Sequence, residues 1–536
     1  MASPTAPVEE VAADGGTRRA SGAAGDVPVP GSMGDRRVVT ALFADLVDYV
    51  RLVAEHDAEE VRRRVDAALA AMGEAIARFD GTREKFIGDA VFAVFGWPVA
   101  HDDDALRATH CALAIREGVS RLEDPAGDAL QVRIGLATGE VVAAPRGVSG
   151  ALDWSLTGPA VTTAARIQGE AAPGDILLDE ATRRAARKAL AFEDLGERVL
   201  RGQNRPVRIG RLLGEAGFQP WRPPVGRFVG RSDERRILAS TVEGLAADGR
   251  GGVVVVEGEA GIGKSRLLAD LEPDAARLRL AWTWVDNVSY GSAEPYRFGR
   301  SLAQVVADEH EMDSGSFLRR LLLSGGIDRP ETRRWAGAVA AIARDAAFSG
   351  WESEASLVPG DPAEVAAGVR SLARAYLEHL LDLDGPRVIV VDDLQWLDPS
   401  SSGIFEELID VALTKPLVAL IGLRSGGALH PGLARPEVRH VALAGLDEIE
   451  TGQLAEALAG VAVASADARR LHLRTGGNPL FIGETVRASV DDGAITDDGR
   501  LAIAGADGAK VPVTLRALLG SRIDALSSDA QAVLRV

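Results

Sequence analysis

Two segments place acidic residues where they could hold divalent metal ions. VVTALFADLVDY contains a strand-like run that ends at Asp45, and EKFIGDAVFAVFG contains two strand-like arms joined by Gly88 and Asp89. The two acids are 44 residues apart (89 − 45), and a strand, a long helix and a hairpin in that order can set them side by side. Adjacent carboxylates repel each other unless cations lie between them. On spacing alone, the alternative is a pair of solvated turn residues.

A second motif could bind nucleotide phosphates. Gly258-x-x-x-x-Gly263-Lys264-Ser265 follows four valines and opens a predicted helix. Its glycines, which include Gly261, would let backbone N–H groups approach the phosphates. Lys264 would neutralise the outer phosphates and Ser265 would reach a Mg²⁺ ion. The alternative is an ordinary glycine-rich turn between a strand and a helix.

A third motif supplies acids for the same nucleotide. In VIVVDDLQWLD, an apolar strand delivers Asp392 and Asp393 to its carboxyl end. In phosphate-loop enzymes, the first acid holds the water shell of the metal and the second can orient the attacking water. A carboxylate that only caps the next helix is the alternative. Because these acids occur together with a phosphate loop, a nucleotide site is favoured over a simple helix cap.

Composition limits the class of protein. The chain has 536 residues, 46% hydrophobic and 26% charged, which predicts two or three globular domains. Its formal net charge of −18 argues against a general nucleic-acid or anionic-membrane surface. The single cysteine, Cys111, excludes an internal disulfide, and no apolar run is long enough to span a membrane. We therefore expect a cytoplasmic protein with neither a membrane nor a nucleic-acid partner.

The pattern of apolar and turn-forming residues predicts an α/β multidomain protein. The helix between the two acids repeats apolar residues at Val61, Val65, Leu69, Met72, Ile76 and Phe79. Three apolar strands, in GGVVVVEG, RVIVVDD and PLVALIGLR, predict a parallel sheet that is buried on both faces. Residues 310–362 have no clear pattern. The predicted parts are a disordered tail (1–34), a first domain (35–213), a linker (214–226), a phosphate-loop domain (227–445), and a helical, winged-helix-like lid (446–536) that stops inside a predicted helix and so indicates a truncated chain.

From about residue 36 to 213, the chain resembles the class III nucleotidyl cyclases. The ordered motifs that carry this resemblance are FADLVDY, KFIGDAVFAVFG, IGLATGEVV and TGPAVTTAARIQ. The resemblance implies a ferredoxin-like βαββαβ core and a homodimer with composite sites at its interface. It also implies that Asp45 and Asp89 hold two Mg²⁺ or Mn²⁺ ions, which activate the ribose 3′-hydroxyl and bind the triphosphate. The products would be a cyclic nucleotide and pyrophosphate.

The chemistry of the base favours ATP over GTP. Adenine offers an acceptor at N1 where guanine offers a donor, and Lys85 can only donate. The resemblance places the second base contact at Ser155, eleven residues before Arg166. A family member has Asp or Thr there, and a hydroxyl can serve. Without the resemblance, Lys85 would be interpreted as a solvated charge on a strand.

The remaining cyclase positions leave two hypotheses open. Thr162 and Arg166 are four residues apart on a helix that Pro159 can begin, so they share one face. The resemblance implies that Arg166 stabilises charge on the reacting phosphate and that position 162 orients the ribose, usually through Asn. GPAVT replaces the common GDAVN, and Asp48 and Val50 also depart from the family pattern. The domain is either a working adenylate cyclase or a weakened dimerisation or nucleotide-sensing module.

From about residue 225 to the end, the chain resembles the signal-transduction phosphate-loop ATPases of the STAND class. The resemblance rests on the nucleotide motifs, FVGR, Arg424 and TGGNPLF. It implies that Arg231 and Pro479 hold the adenine and ribose and that Arg424 senses the γ-phosphate. It further implies a slow switch that binds ATP or ADP with one metal ion, and a helical end that moves. The signalling partner is not identified by these residues.

Overall fold

A computed structural model gives the arrangement of two α/β regions. The described residues are 35–101, 103–123, 129–146, 153–186, 190–203, 206–215, 228–287, 295–312, 316, 362–426, 429–491, 493–496 and 499–503. The predicted tail, residues 216–226 of the linker and the predicted C-terminal helix lie outside these ranges, as does most of 310–362. Residues 214 and 215, predicted as linker, form the end of a strand.

The first region contains a mixed sheet. Its described strands are β1 (Asp35–Leu46), β2 (Thr82–Ile87), β3 (Ala90–Phe95), β4 (Val132–Arg146), β5 (Asp153–Thr157), β6 (Ile176–Asp179), β7 (Leu190–Arg198) and β8 (Val207–Glu215). Their order is β2-β3-β1-β4-β6-β8-β7, and β5 pairs with β4. β1 is antiparallel to both of its neighbours, β3 and β4. The strand that carries Asp45 is therefore central, as predicted.

Helices cover both faces of this sheet. They are α1 (Tyr49–Glu55), α2 (Ala58–Arg78), α3 (Asp104–Ser120), α4 (Pro159–Glu170) and α5 (Glu180–Ala186). The apolar stripe of α2, which includes Val61, Val65, Met72 and Ile76, is buried together with α3 against one face. Asp57 begins α2 by accepting the backbone N–H groups of residues 59 and 60. α4 packs against the opposite face through alanines. The predicted helix is confirmed, and the βαββαβ arrangement is present.

The second region is built on a parallel sheet. Its strands are β9 (Gly252–Gly258), β10 (Ala281–Asp286), β11 (Arg387–Asp392), β12 (Leu417–Arg424) and β13 (Arg439–Ala442), in the order β10-β11-β12-β9-β13. The three predicted apolar strands, β9, β11 and β12, are adjacent at its centre, where both faces are covered. The outer strands β10 and β13 were not predicted, because their sequences lack a continuous apolar run.

Helices surround this second sheet and follow it. They are α6 (Ser232–Asp248), α7 (Lys264–Ala269), α8 (Glu272–Arg277), α9 (Arg297–Glu309), α10 (Pro362–Asp384), α11 (Ser402–Thr414), α12 (Glu448–Ala459), α13 (Ser465–Thr475) and α14 (Pro479–Asp491). The last three, with the short strands β14 (Ala462–Val463) and β15 (Arg500–Leu501), enclose a small separate core. In the described part of the chain, none of the helices is both long and apolar enough to cross a membrane.

Candidate active sites

The predicted hairpin is present and brings its acid to the central strand. β2 and β3 pair with Ile87 opposite Ala90, and Gly88 at the tip has a φ of 67°, which glycine adopts without strain. On the other side of β3, Ala90 pairs with Asp45. Asp89 therefore lies one residue from the cross-strand partner of Asp45, as the order of elements predicts.

The two carboxylates interact electrostatically. The pKa of the Asp45 carboxyl is raised, first by burial and then by the negative charge of Asp89. A hydrogen bond between the two carboxyl groups, which requires one of them to be protonated, raises it further. Arg133, the register partner of Asp45 on β4, and Gln168 on α4 lower it. The two acids are thus close, and Arg133 does not fully offset the effects that raise the pKa of Asp45, which suits the binding of Mg²⁺ or Mn²⁺ ions.

Only two carboxylates converge here, so the nucleotide must supply further oxygen ligands. Among the described residues, no group of three or more His, Cys, Asp or Glu side chains could hold a metal ion. Mg²⁺ is commonly held by one or two carboxylates together with substrate phosphates and water. The donor set of Asp45 and Asp89 therefore fits a metal ion that arrives with a nucleotide.

Lys85 lies on the same face of the sheet as Asp45. It pairs with Phe92, whose ring stacks on that of Phe43 at a centroid distance of 4.5 Å. Phe43 is two residues before Asp45, and residues two apart on a strand share a face. The side chain of Lys85 is half exposed, and its Nζ lies 3.6 Å from Glu84 Oε2. Its ammonium group is accessible to a ligand on the face that carries Asp45.

Ser155 lies at the other end of the sheet. It pairs with Ala144 of β4, whereas the row of paired residues that contains Lys85 crosses β4 at Gly135. These two positions on β4 are nine residues apart (144 − 135), or about 30 Å along the strand. Within one chain, the structure therefore does not bring the two predicted base contacts together.

Helix α4 is held tightly against β4 by a glycine. A Cβ atom added at Gly135 would lie 2.3 Å from the backbone nitrogen of Gln168 and 2.4 Å from the carbonyl oxygen of Ala164. Because only glycine permits this approach, the helix reaches Asp45: Gln168 Nε2 donates a hydrogen bond to Asp45 Oδ2 at 3.4 Å. Sequence reasoning missed Gln168, although it follows Arg166 closely in the same motif.

Thr162 and Arg166 occupy α4 as predicted, with Pro159 in its first turn. Thr162 is exposed, and its hydroxyl donates to the carbonyl oxygen of Gly158 at 3.4 Å. The guanidinium of Arg166 packs beside Gly202. Its Nη1 atom is buried without a hydrogen-bond partner among the described residues. An unpaired cationic donor of this kind can bind an anion such as a phosphate.

The phosphate loop connects β9 to α7. Gly261 and Gly263 have φ values of 74° and 102°, which explains why glycine is required at both positions. A Cβ atom at Gly258 would lie 2.7 Å from the side chain of Ile262. The buried Lys264 donates from Nζ to the carbonyl oxygens of Gly258 and residue 259, at 3.0 Å each. Ser265 is half-buried at the second position of α7.

Asp392 ends β11 beside a gap that a glycine creates. A Cβ atom at Gly422, on the neighbouring strand β12, would lie only 2.3 Å from Asp392 Oδ1. The backbone N–H of Asp393 donates to the same oxygen at 3.0 Å. Because β11, β12 and β9 are parallel neighbours, Asp392 and the phosphate loop lie at the same edge of the sheet. This arrangement fits a Mg²⁺ ion shared with Ser265.

Arg424 ends β12 at the same edge, and a residue that sequence reasoning missed joins it to Asp393. The backbone N–H of Arg424 donates to Gln395 Oε1 at 3.2 Å. Gln395 Nε2 in turn donates to Asp393 Oδ1 at 3.0 Å. Its position two residues after Asp393 in VIVVDDLQWLD was the available signal.

The start of α14 touches the phosphate loop. Asn478 Nδ2 donates to the carbonyl oxygen of Ala260 at 3.0 Å, and the N–H of Leu480 donates to that of Gly261 at 3.2 Å. A Cβ atom at Gly263 would lie 3.9 Å from Pro479. Pro479 is therefore next to the loop. The sequence did not predict that Asn478 and Leu480 also contact it.

Arg231 lies at the entrance to α6 with a φ of 60°. Its buried guanidinium donates to the backbone carbonyl oxygen of Ala444, and at 3.4 Å to that of Ile262. Glu234 lies 3.4 Å from its Nη1 atom. Arg231 thus connects the loop region to the chain just before α12, in addition to any contact with a nucleotide.

Family models match both regions. The adenylate and guanylate cyclase catalytic domain matches residues 32–210, and the AAA ATPase domain matches residues 227–421. The chain therefore carries a class III cyclase catalytic domain followed by an AAA ATPase domain, as the motifs predict.

The chain is also similar to individual proteins. An uncharacterized protein of Rhizobium meliloti (strain 1021) is 29% identical over 426 residues, which cover 78% of this chain and 40% of the relative. Adenylate cyclase 1 of the same organism is 28% identical over 185 residues, covering 33% of this chain and 28% of the relative. The chain thus spans less than half the length of these relatives. The solved adenylyl cyclase CyaB from P. aeruginosa is 24% identical, with a TM-score of 0.32 and coverage of 36% of this chain and 99% of that one.

Proposed function

We propose that the chain is an adenylate cyclase that converts ATP to cyclic AMP and pyrophosphate in the cytoplasm. The observation that carries this proposal is that Asp45 lies close to Asp89 and on the sheet face that also presents Lys85. The two acids can hold metal ions, and Lys85 can donate to the adenine N1.

Each residue has a distinct task in this reaction. Asp45 and Asp89 would hold two Mg²⁺ or Mn²⁺ ions, which when bound activate the ribose 3′-hydroxyl and bind the triphosphate. Lys85 donates to N1 of adenine and thereby orients the base. Arg166, with its buried and unpaired Nη1, stabilises the charge that develops on the reacting phosphate. Ser155 supplies the second contact to the base.

The distance between Lys85 and Ser155 supports a homodimer. One nucleotide cannot touch both residues of a single chain when about 30 Å of strand separates their rows. In a twofold dimer, Lys85 of one protomer can meet Ser155 of a second copy. Each site would then be composite.

Cyclic AMP production by the purified full chain with Mn²⁺ and ATP tests this proposal. Asp45→Asn should reduce the rate at least a hundredfold, because the metal ligand loses its charge. Asp66→Asn, on the exposed face of α2, is the matched control and should retain full activity. Undiminished activity of Asp45→Asn would refute the metal assignment, and faster turnover of GTP would refute the base assignment.

A specific observation supports a second candidate function, a weakened cyclase-like dimerisation or nucleotide-sensing module. The Thr162 side chain is short, and its hydroxyl already donates to the carbonyl oxygen of Gly158, just before its own helix. Asn at this position could reach further toward a ribose. A large gain in turnover by Thr162→Asn would support a weakened enzyme. Inactivity of both forms, with ATP still bound at the cyclase site, would support the sensing module.

For the ATPase domain we propose a STAND-type switch that binds ATP or ADP with one metal ion and hydrolyses ATP slowly. Lys264 and the loop glycines would hold the phosphates, while Ser265 and Asp392 would hold the metal. Asp393 would orient the attacking water, and Arg424 would sense the γ-phosphate. Arg231 and Pro479 are proposed to contact the adenosine, and Lys264→Ala should abolish nucleotide binding at this domain.

A further inference from the structure

The turn after β11 has a fixed position. Leu394, at its start, is buried in the core of the ATPase domain. At its end, the buried carboxylate of Asp398 accepts the backbone N–H groups of Tyr296 at 3.1 Å, Phe298 at 3.2 Å and Ser401 at 3.0 Å. Asp393 opens the turn with a φ of 52°. The residues from 393 to 398 are therefore held from two sides.

Gln395 makes a different hydrogen bond at each end of its side-chain amide. Its oxygen accepts the N–H of Arg424, and its nitrogen donates to the carboxylate of Asp393. The orientation of the amide is determined by chemistry, because a backbone N–H can only donate and an ionised carboxylate can only accept. Gln395 is thus a bridge from the strand end that carries the proposed γ-phosphate sensor to the acid proposed to orient water.

We infer that Gln395 is a positioning residue for ATP hydrolysis, acting through Asp393 and through the backbone of Arg424. This inference rests on the ATP hydrolysis proposed above. A water-orienting carboxylate must be held to within a fraction of an ångström, and its own supporting hydrogen bonds provide that precision. The amide of Gln395 also places the Arg424 backbone in a fixed relation to Asp393. The sensor and the acid are then aligned before the nucleotide binds.

Two variants of Gln395 separate its two bonds. Gln395→Met has a similar shape and loses both bonds. Gln395→Glu keeps the acceptor for the Arg424 N–H but cannot donate to Asp393, which it repels. We expect single-turnover phosphate release from bound ATP to slow by about ten- to a hundredfold in both variants, since each loses a hydrogen bond to a charged group. The KM for ATP should stay within about twofold, because neither bond involves the nucleotide.

Inorganic phosphate is the correct readout, because the cyclase reaction releases pyrophosphate instead. Gln453→Met, at an exposed position of α12, is the matched control and should behave as the wild type. Normal phosphate release by Gln395→Met would overturn this inference but not the proposed ATP hydrolysis. Wild-type protein that binds ATP but releases no phosphate would overturn the proposed hydrolysis, and the inference with it. A slower rate accompanied by a lower melting temperature and weaker binding of both ATP and ADP would show a merely structural role and also overturn it.

Discussion

Ser155 and Lys85 are both candidates to contact the same base, but they lie far apart in the sheet. Their rows of cross-strand partners meet β4 at positions nine residues apart. This relationship has a direct consequence for subunit mixing. Lys85→Ala and Ser155→Ala should each lose most of the activity, because each removes one of the two base contacts from every composite site. An equal mixture should recover about a quarter of wild-type activity, since half of the dimers are mixed and each holds one intact site.

The rate of cyclic AMP formation after mixing and re-equilibration measures this recovery. A mixture of Lys85→Ala with Asp45→Asn is the control, because both changes lie in the same half of the site and cannot complement each other. Equal recovery in the two mixtures would contradict the composite arrangement.

Lys85→Glu should change the preference for the base. A carboxylate accepts from N1 of guanine, where adenine offers only an acceptor. We expect kcat/KM for ATP to fall by about ten- to a hundredfold, the effect of losing one hydrogen bond to a charged group, while the value for GTP falls less or rises. Parallel assays of the cyclic AMP and cyclic GMP products, with ATP and GTP as the two substrates, measure the ratio. Arg63→Glu makes the same charge change on the exposed face of α2 and should leave the ratio unchanged.

Gly422→Ala should damage the nucleotide site of the ATPase domain. The added methyl group would lie 2.3 Å from Asp392 Oδ1, so the carboxylate or the strand must move. We expect a loss of about 1–3 kcal/mol in unfolding free energy and weaker Mg²⁺-dependent ATP binding. Thermal denaturation and titration with ATP in the presence and absence of Mg²⁺ measure both effects.

The matched control is Gly244→Ala, in helix α6, where an added Cβ atom meets nothing within 4 Å. It should be neutral or stabilise the domain by up to about 1 kcal/mol, since alanine favours a helix over glycine. A Gly422→Ala protein as stable as this control, with intact Mg²⁺-dependent binding, would show that the space beside Asp392 is not needed.

His440 should make the stability of the ATPase domain depend on pH. Burial is the largest single effect and lowers the pKa of His440, but the hydrogen bond to Glu257, at 2.6 Å, the bond to Leu433 and the charge of Glu257 together leave the pKa raised above 6.5. Its other ring nitrogen lies 3.0 Å from the carbonyl oxygen of Leu433, so both nitrogens donate in the charged form. A raised pKa stabilises the fold fully below pH 6.5, and this contribution is lost as the pH rises through the folded value.

The effect should be below about 1 kcal/mol, because both side chains are about one-third exposed and solvent screens the pair. Melting temperatures between pH 6 and pH 9 in wild type and His440→Gln measure it as the difference between the two curves. Curves that stay parallel across this range would refute a role for the charged imidazole.

Local motifs were enough to predict much of both sites. The four valines before the phosphate loop, the glycines at positive φ and the hairpin around Gly88 are encoded by residues close in sequence, and the structure confirms these elements. The apolar runs of β9, β11 and β12 likewise predicted the centre of the parallel sheet. The edge strand β13 was missed because it is short and mostly exposed, so burial leaves no pattern in its sequence.

The sequence by itself determined which residues could bind a nucleotide and which strands and turns present them, because helix, strand and turn preferences act over a few neighbouring residues. Only the tertiary structure decided that Gln168 reaches Asp45, that Gln395 bridges Asp393 and Arg424, and that Ser155 lies far from Lys85. Those relationships depend on strand register and on the close approach of helices at single glycines, and both result from packing between segments that are distant in sequence.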